Sequence, residues 1–208
     1  MSISIRKSWF HLAGGAGVGR LSGFLGNLLL SRLLGPTDLG LFNLVATTVQ
    51  TGDTLVRLGC DYSLNYECGA HPEGLHRQTG RSLFQAFTQL SGFATVIVCT
   101  GLFIWLVPCG GLFPISDSIL VRNIRVLLLI SMVALEAICA PPWEFLLVSH
   151  NTSRLALRQG FFLPLRLVLS AIGAYVMQID GAMLGWLIAS IVQSIYLRRS
   201  IDLPSYPI

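Results

Sequence analysis

The chain has 208 residues, of which 53% are hydrophobic and only 12% are charged. Soluble domains carry about 25% charged residues, so this sequence has too little polar surface to cover a globule in water, and we exclude a soluble domain. The net charge is +4. Because the arginines lie at the ends of apolar runs and no nucleic-acid-binding motif is present, we interpret them as residues that set the orientation of the chain in the membrane.

Six apolar segments approach or exceed the roughly 20 residues that a helix needs to cross a bilayer. They predict one all-α integral membrane domain over residues 1–208, with spans at 9–34, 39–60, 82–107, 119–148, 155–177 and 182–197. The first span ends at Gly35-Pro36, a helix stop. The pair Pro141-Pro142 is expected to kink or split the fourth span.

Basic residues alternate between the connections. They occur in the second and fourth connections and at both ends of the chain, as Arg77 with Arg81, Arg154 with Arg158, Arg6-Lys7 and Arg198-Arg199. The positive-inside rule therefore predicts that both termini face the cytoplasm. Three arginines near the opposite end of the spans are exceptions, namely Arg32, Arg122 and Arg125.

The second span carries a polar stripe. Its members recur at steps of three or four residues, which places them on one helical face: Asn43, Thr47, Gln50, Thr54, Arg57 and Asp61. Charges near the bilayer centre cost about 2.5–3.5 kcal/mol each, so the stripe is expected to face the bundle interior or a water-filled cavity. Ordinary interhelical hydrogen bonding is the alternative for the uncharged members, and snorkelling for the charged ones. Asp53 precedes Arg57 by four residues, which predicts an ion pair within the helix.

Charged and polar residues also lie inside two other spans. Arg20 and Asn27 share a face of the first span, and Arg20 is interpreted as a cavity charge. The alternative is an arginine neutralised by Asp53 or Glu136, with no role in ligand binding. Glu136 is the only acid deep inside a span, so it is a candidate for proton or ion coupling, or else a structural partner for an arginine. The roles of Glu144 and Arg166 stay open.

An arginine-rich polar cavity suits an anionic ligand, because guanidinium groups match phosphate oxygens. Such a cavity could hold a pyrophosphate-linked sugar whose lipid tail stays in the bilayer. The sequence contains no phosphotransferase, HExxH or GxSxG motif, so we predict no enzyme, no catalytic residue and no cofactor. The five cysteines form no CxxC pair, and His71, Glu73 and His76 are interpreted as solvated loop residues, so no metal site is predicted.

The start of the chain resembles a known family. The similarity lies in residues 19–25 (GRLSGFL), residues 28–34, the stretch from Gly35-Pro36 to Phe42, and residues 57–64. These stretches are similar to oligosaccharide flippases of the Wzx type in the multidrug/oligosaccharidyl-lipid/polysaccharide exporter (MOP) superfamily. The resemblance implies transport of undecaprenyl-pyrophosphate-linked sugar units across the bacterial cytoplasmic membrane for polysaccharide or O-antigen biosynthesis. Arg20 matches the first arginine of the family's first-helix pattern. The second arginine of the related lipid II flippases falls at Gly26 here, which favours the Wzx branch.

The chain departs from this family in length. Its members have two lobes of about six helices each, whereas this sequence predicts one lobe. The implied cavity residues are Arg20, Asn27, Asn43, Gln50, Asp53, Thr54 and Arg57, and the expected partners are a lipid-linked oligosaccharide, membrane lipids and either a second lobe or a second copy. A non-transporting membrane subunit or remnant, or a lipid II-type lobe, remains an alternative.

Overall fold

The computed structural model describes residues 2–57, 59, 62, 73–109, 112–113, 118–148 and 156–200. Within these ranges, side chains are described except at 2–12, 73–81, 83, 108–109, 145–148 and 200. The described chain forms four long helices, α1 (Ser2–Arg57), α2 (Glu73–Cys109), α3 (Ile119–Val148) and α4 (Leu163–Ser200). One π-helical turn, Arg158–Phe162, leads directly into α4.

Each of the four helices is long and apolar enough to cross a membrane. The apolar stretches are Ala13–Arg57, Phe84–Val107, Ile119–Glu144 and Arg158–Arg199. Large apolar side chains also cover the outer surface; Phe93 on α2, for example, is 67% exposed. A surface of this kind suits acyl chains rather than water. The structure therefore agrees with the predicted class of a helical membrane protein.

Helix α1 is interrupted at Gly35. This residue has φ 72° and ψ 174°, a backbone conformation that essentially only glycine adopts, and the next residue is Pro36, which cannot donate a helical hydrogen bond. Gly15, before the break, packs against Ala156. Arg57, at the end of α1, contacts Glu144.

These two contacts fix the path of α1. Ala156 and Glu144 lie at the same end of the bundle, because the Arg158 guanidinium lies 5.6 Å from the ring of Trp143. A straight helix would separate Gly15 from Arg57 by roughly 63 Å. Helix α1 therefore reverses its direction at Gly35, where the first predicted span ends.

Helix α4 is interrupted in the same way at Met177 and Gln178, and Gln178 has a positive φ of 52°. Backbones on the two sides of this break touch. A Cβ atom added to Gly173 would overlap the carbonyl of Gly181, and one added to Gly185 would overlap that of Leu169. The two parts of α4 therefore pack antiparallel through glycines. The break begins at the last residue of the predicted span 155–177 and precedes the predicted span 182–197.

The main apolar core lies where α1, α3 and α4 meet. Its fully buried members are Leu30, Val45, Leu129, Met132, Val133, Ala182 and Met183. The Phe42 ring adds an aromatic contact with Trp186 at 5.8 Å. Helix α3 runs through Pro141 and Pro142 without a non-helical residue. The prolines therefore do not split this helix, and the prediction of a split was wrong.

Candidate functional site

Arg57 joins carboxylates from two helices. Its Nε and Nη2 donate to Asp53 Oδ2 at 3.1 and 2.8 Å, and its Nη1 donates to Glu144 Oε1 at 2.7 Å. The side chains of Arg57, Asp53 and Glu144 are 15%, 21% and 10% exposed. The predicted ion pair within α1 is confirmed. Glu144 was not identified as a partner from the sequence, because 87 residues separate it from Arg57.

Arg158 completes this group, which we call the Arg57 cluster (Asp53, Arg57, Glu144 and Arg158). Its guanidinium stacks on Trp143 and lies within electrostatic range of the other three members. Two acids and two arginines make the cluster neutral. Such compensation is what burial of charges requires, because an unpaired charge in a low-dielectric interior is costly.

Glu136 is the centre of a second group. Its Oε1 accepts hydrogen bonds from Arg166 Nη1 at 2.8 Å, Trp186 Nε1 at 3.3 Å and Ser190 Oγ at 3.2 Å. The Arg166 guanidinium also lies over the Trp186 ring, 4.6 Å from its centroid. Glu136 is thus placed as a counter-charge for an arginine, which was the second of the two roles considered from the sequence. Its role in ion coupling stays a prediction. Arg166, which the sequence left open, is packed between helices.

A third charged group lies at the opposite end of the bundle, beside the break in α4. Arg125 donates to both oxygens of Asp180, from Nε at 2.6 Å and from Nη2 at 3.1 Å. Arg125 was an exception to the charge pattern of the sequence. Its side chain is only 11% exposed, so Arg125 forms an ion pair inside the protein. Its position therefore gives no information about which end of the span faces the cytoplasm.

The uncharged residues of the predicted stripe point away from the bundle. Asn43, Gln50 and Thr54 are exposed, and the Thr54 hydroxyl donates to the carbonyl of Gln50 in its own helix at 2.9 Å. The opposite face of the same helix is buried at steps of three and four residues, through Phe42, Val45, Val49, Gly52 and Val56. The interior part of the expectation therefore applies to Asp53 and Arg57 but not to Asn43, Thr47, Gln50 and Thr54, because apolar side chains occupy the interior. The other part of the expectation, that these four residues line a water-filled cavity, stays a prediction. Asp61, the last member of the stripe, lies outside the described residues.

Arg20 and Asn27 are also exposed. Neither Asp53 nor Glu136 neutralises Arg20, since these acids bind Arg57 and Arg166. Because α1 reverses at Gly35, residues at equal distances before and after the break lie at similar depths. Asn27 is thus level with Asn43, and Arg20 with Gln50.

The described residues contain no group of histidine, cysteine or acidic side chains that could hold a metal ion. The side chains of His71, Glu73 and His76 lie outside the described residues. No family model, no curated protein and no solved structure matches the chain. Function must therefore be inferred from the chain's own residues.

Proposed function

We propose that this protein is one lobe of a membrane transporter that moves undecaprenyl-pyrophosphate-linked oligosaccharide units from the inner to the outer leaflet of the bacterial cytoplasmic membrane, in polysaccharide or O-antigen biosynthesis. One observation carries the proposal. Both parts of α1 expose polar side chains on the outside of the bundle, at matched depths, whereas large apolar side chains such as Phe93 on α2 cover much of the remaining described outer surface.

Exposed amides and hydroxyls at membrane depth need hydrogen-bond partners other than lipid. The side-chain amides of Asn43 and Gln50 do not enter the interior of the described bundle, so their partners come from outside it. A water-filled chamber meets that need if a second wall closes it. The second lobe of a two-lobed transporter, or a second copy of this chain, supplies such a wall.

The two helix breaks support a count of six spans. The apolar stretches Ala13–Arg57 and Arg158–Arg199 contain 45 and 42 residues, about twice the length that crosses a bilayer once. Each is interrupted near its middle and packs back toward its start. Six spans with both termini in the cytoplasm fit this arrangement and the distribution of arginine pairs in the sequence.

The charge distribution supports an anionic substrate. Arg57, Arg125 and Arg166 each have a carboxylate within 2.8 Å, so their charges are compensated inside the lobe. Arg20 projects from the exposed polar face instead. Positive charge on the chamber side attracts a pyrophosphate, because guanidinium forms paired hydrogen bonds with phosphate oxygens.

A second candidate function is a non-transporting membrane subunit of a polysaccharide assembly complex. Its support is that Asp53, Arg57 and Glu136 bind one another or neighbouring helices, as charges that only hold a fold together would. In that case the exposed polar face would be a contact surface for another membrane protein. The two functions differ in one respect: only the transporter requires a substrate to move along the exposed polar face of α1.

A gene replacement in the native host tests the transport proposal. We expect deletion to stop surface polysaccharide export and to leave lipid-linked sugar in the inner leaflet, and the doubly substituted chain Asn43→Leu/Gln50→Leu to fail to restore export. Both side chains are exposed, so the protein should still accumulate in the membrane. The measurement is surface polysaccharide together with the amount of membrane-inserted protein.

Leu44→Ala is the matched control, because Leu44 is 47% exposed beside the stripe and is apolar. It should restore export fully. Normal export by Asn43→Leu/Gln50→Leu at wild-type protein levels, or normal export in the deletion strain, would contradict the proposal.

A further inference from the structure

Trp143 on α3 carries a buried hydrogen-bond donor that has no partner. Its side chain is 1% exposed, and no described residue accepts a hydrogen bond from its Nε1 atom. The Arg158 guanidinium lies 5.6 Å from the ring centroid, and the Phe162 ring packs edge-on at 6.1 Å. A buried tryptophan usually pairs its N–H, because an unpaired buried donor is costly. The donor of Trp143 therefore requires an acceptor.

A buried acceptor in the same group of side chains also has no partner. Asp53 uses its Oδ2 for both hydrogen bonds to Arg57, at 3.1 and 2.8 Å, and its buried Oδ1 pairs with no described residue. Arg158 stacks on Trp143 and lies within electrostatic range of Asp53. Trp143 also directly precedes Glu144, the carboxylate of α3 that binds Arg57. The unpaired donor and the unpaired acceptor thus belong to one buried cluster.

The charges around these two atoms restrict what can bind to both. Arg57 and Arg158 would repel a metal cation, and Asp53 and Glu144 would repel an anion. The Arg57 cluster is neutral, so a charged ligand would leave an uncompensated charge inside the protein. A small neutral molecule that accepts one hydrogen bond and donates another avoids this cost. Water has this chemistry, and buried waters typically form about three hydrogen bonds to buried polar groups that are otherwise unpaired.

We propose that the Arg57 cluster binds an internal water molecule, which accepts a hydrogen bond from Trp143 Nε1 and donates one to Asp53 Oδ1. Two hydrogen bonds of about 2.9 Å each allow one water to join atoms up to about 6 Å apart. The site lies inside the bundle, where Arg57 already joins α1 to α3, and it is separate from the exposed polar face of α1. It does not depend on the proposed function.

The bound water has a consequence for Arg158. The guanidinium of Arg158 stacks on the Trp143 ring, so its position depends on the orientation of that ring. A hydrogen bond from the indole N–H to the water fixes the orientation. Buried polar networks hold a single arrangement only when every member is paired. The water therefore helps to position the second arginine of the cluster.

Nuclear magnetic resonance of the indole groups tests the site. The full chain, which contains four tryptophans, is labelled with indole-¹⁵N tryptophan in detergent micelles, and cross-peaks between each indole N–H and water are recorded. Trp143→Phe assigns the signal of Trp143. Trp186 is a matched control in the same spectrum, because it is 5% exposed and its Nε1 already donates to Glu136 at 3.3 Å.

We expect a direct cross-peak with water at Trp143 and none at Trp186. Asp53→Asn keeps an acceptor oxygen at this position and should retain the cross-peak. Asp53→Leu has a similar shape without an acceptor, so it should abolish the cross-peak while the Trp143 indole signal itself remains. An unchanged Trp186 signal in Asp53→Leu shows that this variant folds.

Three outcomes would overturn the proposal. The first is the lack of a water cross-peak at Trp143 in the wild-type protein, a result that requires no folded variant; a shift of the indole signal in Asp53→Leu would then indicate a direct bond between the two side chains. The second is a cross-peak of equal strength at Trp143 and Trp186, which would show general penetration of solvent. The third is a Trp143 cross-peak that survives unchanged in Asp53→Leu, because that water would not be shared with Asp53.

Discussion

Arg57 illustrates how single charges stabilise this fold. It is bound by one carboxylate from its own helix and by one from α3, so its removal leaves two acids in a mostly buried place. Asp53 already has one buried oxygen, Oδ1, without a hydrogen-bond partner. Losing the guanidinium would leave the second oxygen of Asp53 unpaired as well.

We predict that Arg57→Ala lowers the free energy of unfolding by about 3–5 kcal/mol, the cost of breaking a buried ion pair by removing one partner. Thermal unfolding in a mild detergent measures the change. Gln50→Ala, on the exposed face of the same helix, should stay within about 0.5 kcal/mol of the wild type. Coinciding unfolding curves for the two variants would show that the Arg57 cluster contributes nothing to stability.

At the scale of elements, glycines decide how the parts of α4 pack. Gly173 and Gly181 face each other across the break at Met177 and Gln178 so closely that neither has room for a Cβ atom. Backbones approach this closely only where side chains are absent. The antiparallel packing of α4 therefore depends on these positions.

We predict that Gly173→Ala destabilises the protein by about 1–3 kcal/mol, because the added methyl group forces the two backbones apart. The control is Gly92→Ala on α2, where a Cβ atom would meet nothing within 4 Å and a better helix former should be neutral or stabilising by up to about 1 kcal/mol. Detergent unfolding curves compare the two. A Gly173→Ala protein as stable as Gly92→Ala would be inconsistent with the close packing.

At the scale of the whole molecule, the direction of each helix part determines how often the chain crosses the membrane. Helix α1 reverses at Gly35 and α4 packs back on itself after Gln178. In a six-span arrangement, both breaks lie on one side of the membrane. Residues 159 and 199 then lie on the other side.

Single-cysteine labelling tests this arrangement in a variant whose five natural cysteines are replaced by serine. We expect Gln178→Cys to react with an impermeant thiol reagent in intact cells, and Gln159→Cys and Arg199→Cys to react only after permeabilisation. All three native side chains are exposed, so accessibility within the protein does not limit the reaction. Labelling of residues 159 and 199 from opposite sides would mean that α4 crosses once.

The sequence by itself determined the features that depend on composition and on neighbours along the chain. Its apolar content predicts a helical membrane protein, Gly35-Pro36 predicts the break in α1, and the four-residue spacing of Asp53 and Arg57 predicts their ion pair. These succeed because a helix stop and an i,i+4 contact are properties of one helix. No distant residue is needed to establish them.

Only the tertiary structure decided which way each helical face points and which distant groups meet. Periodicity predicts that Asn43 and Gln50 share a face, but that face is turned outward because the opposite valines pack against α3 and α4. The pairing of Glu136 with Arg166 and the contact between Arg57 and Glu144 join residues far apart in sequence. Partners of this kind are chosen by how helices pack, which helical spacing within one segment does not encode.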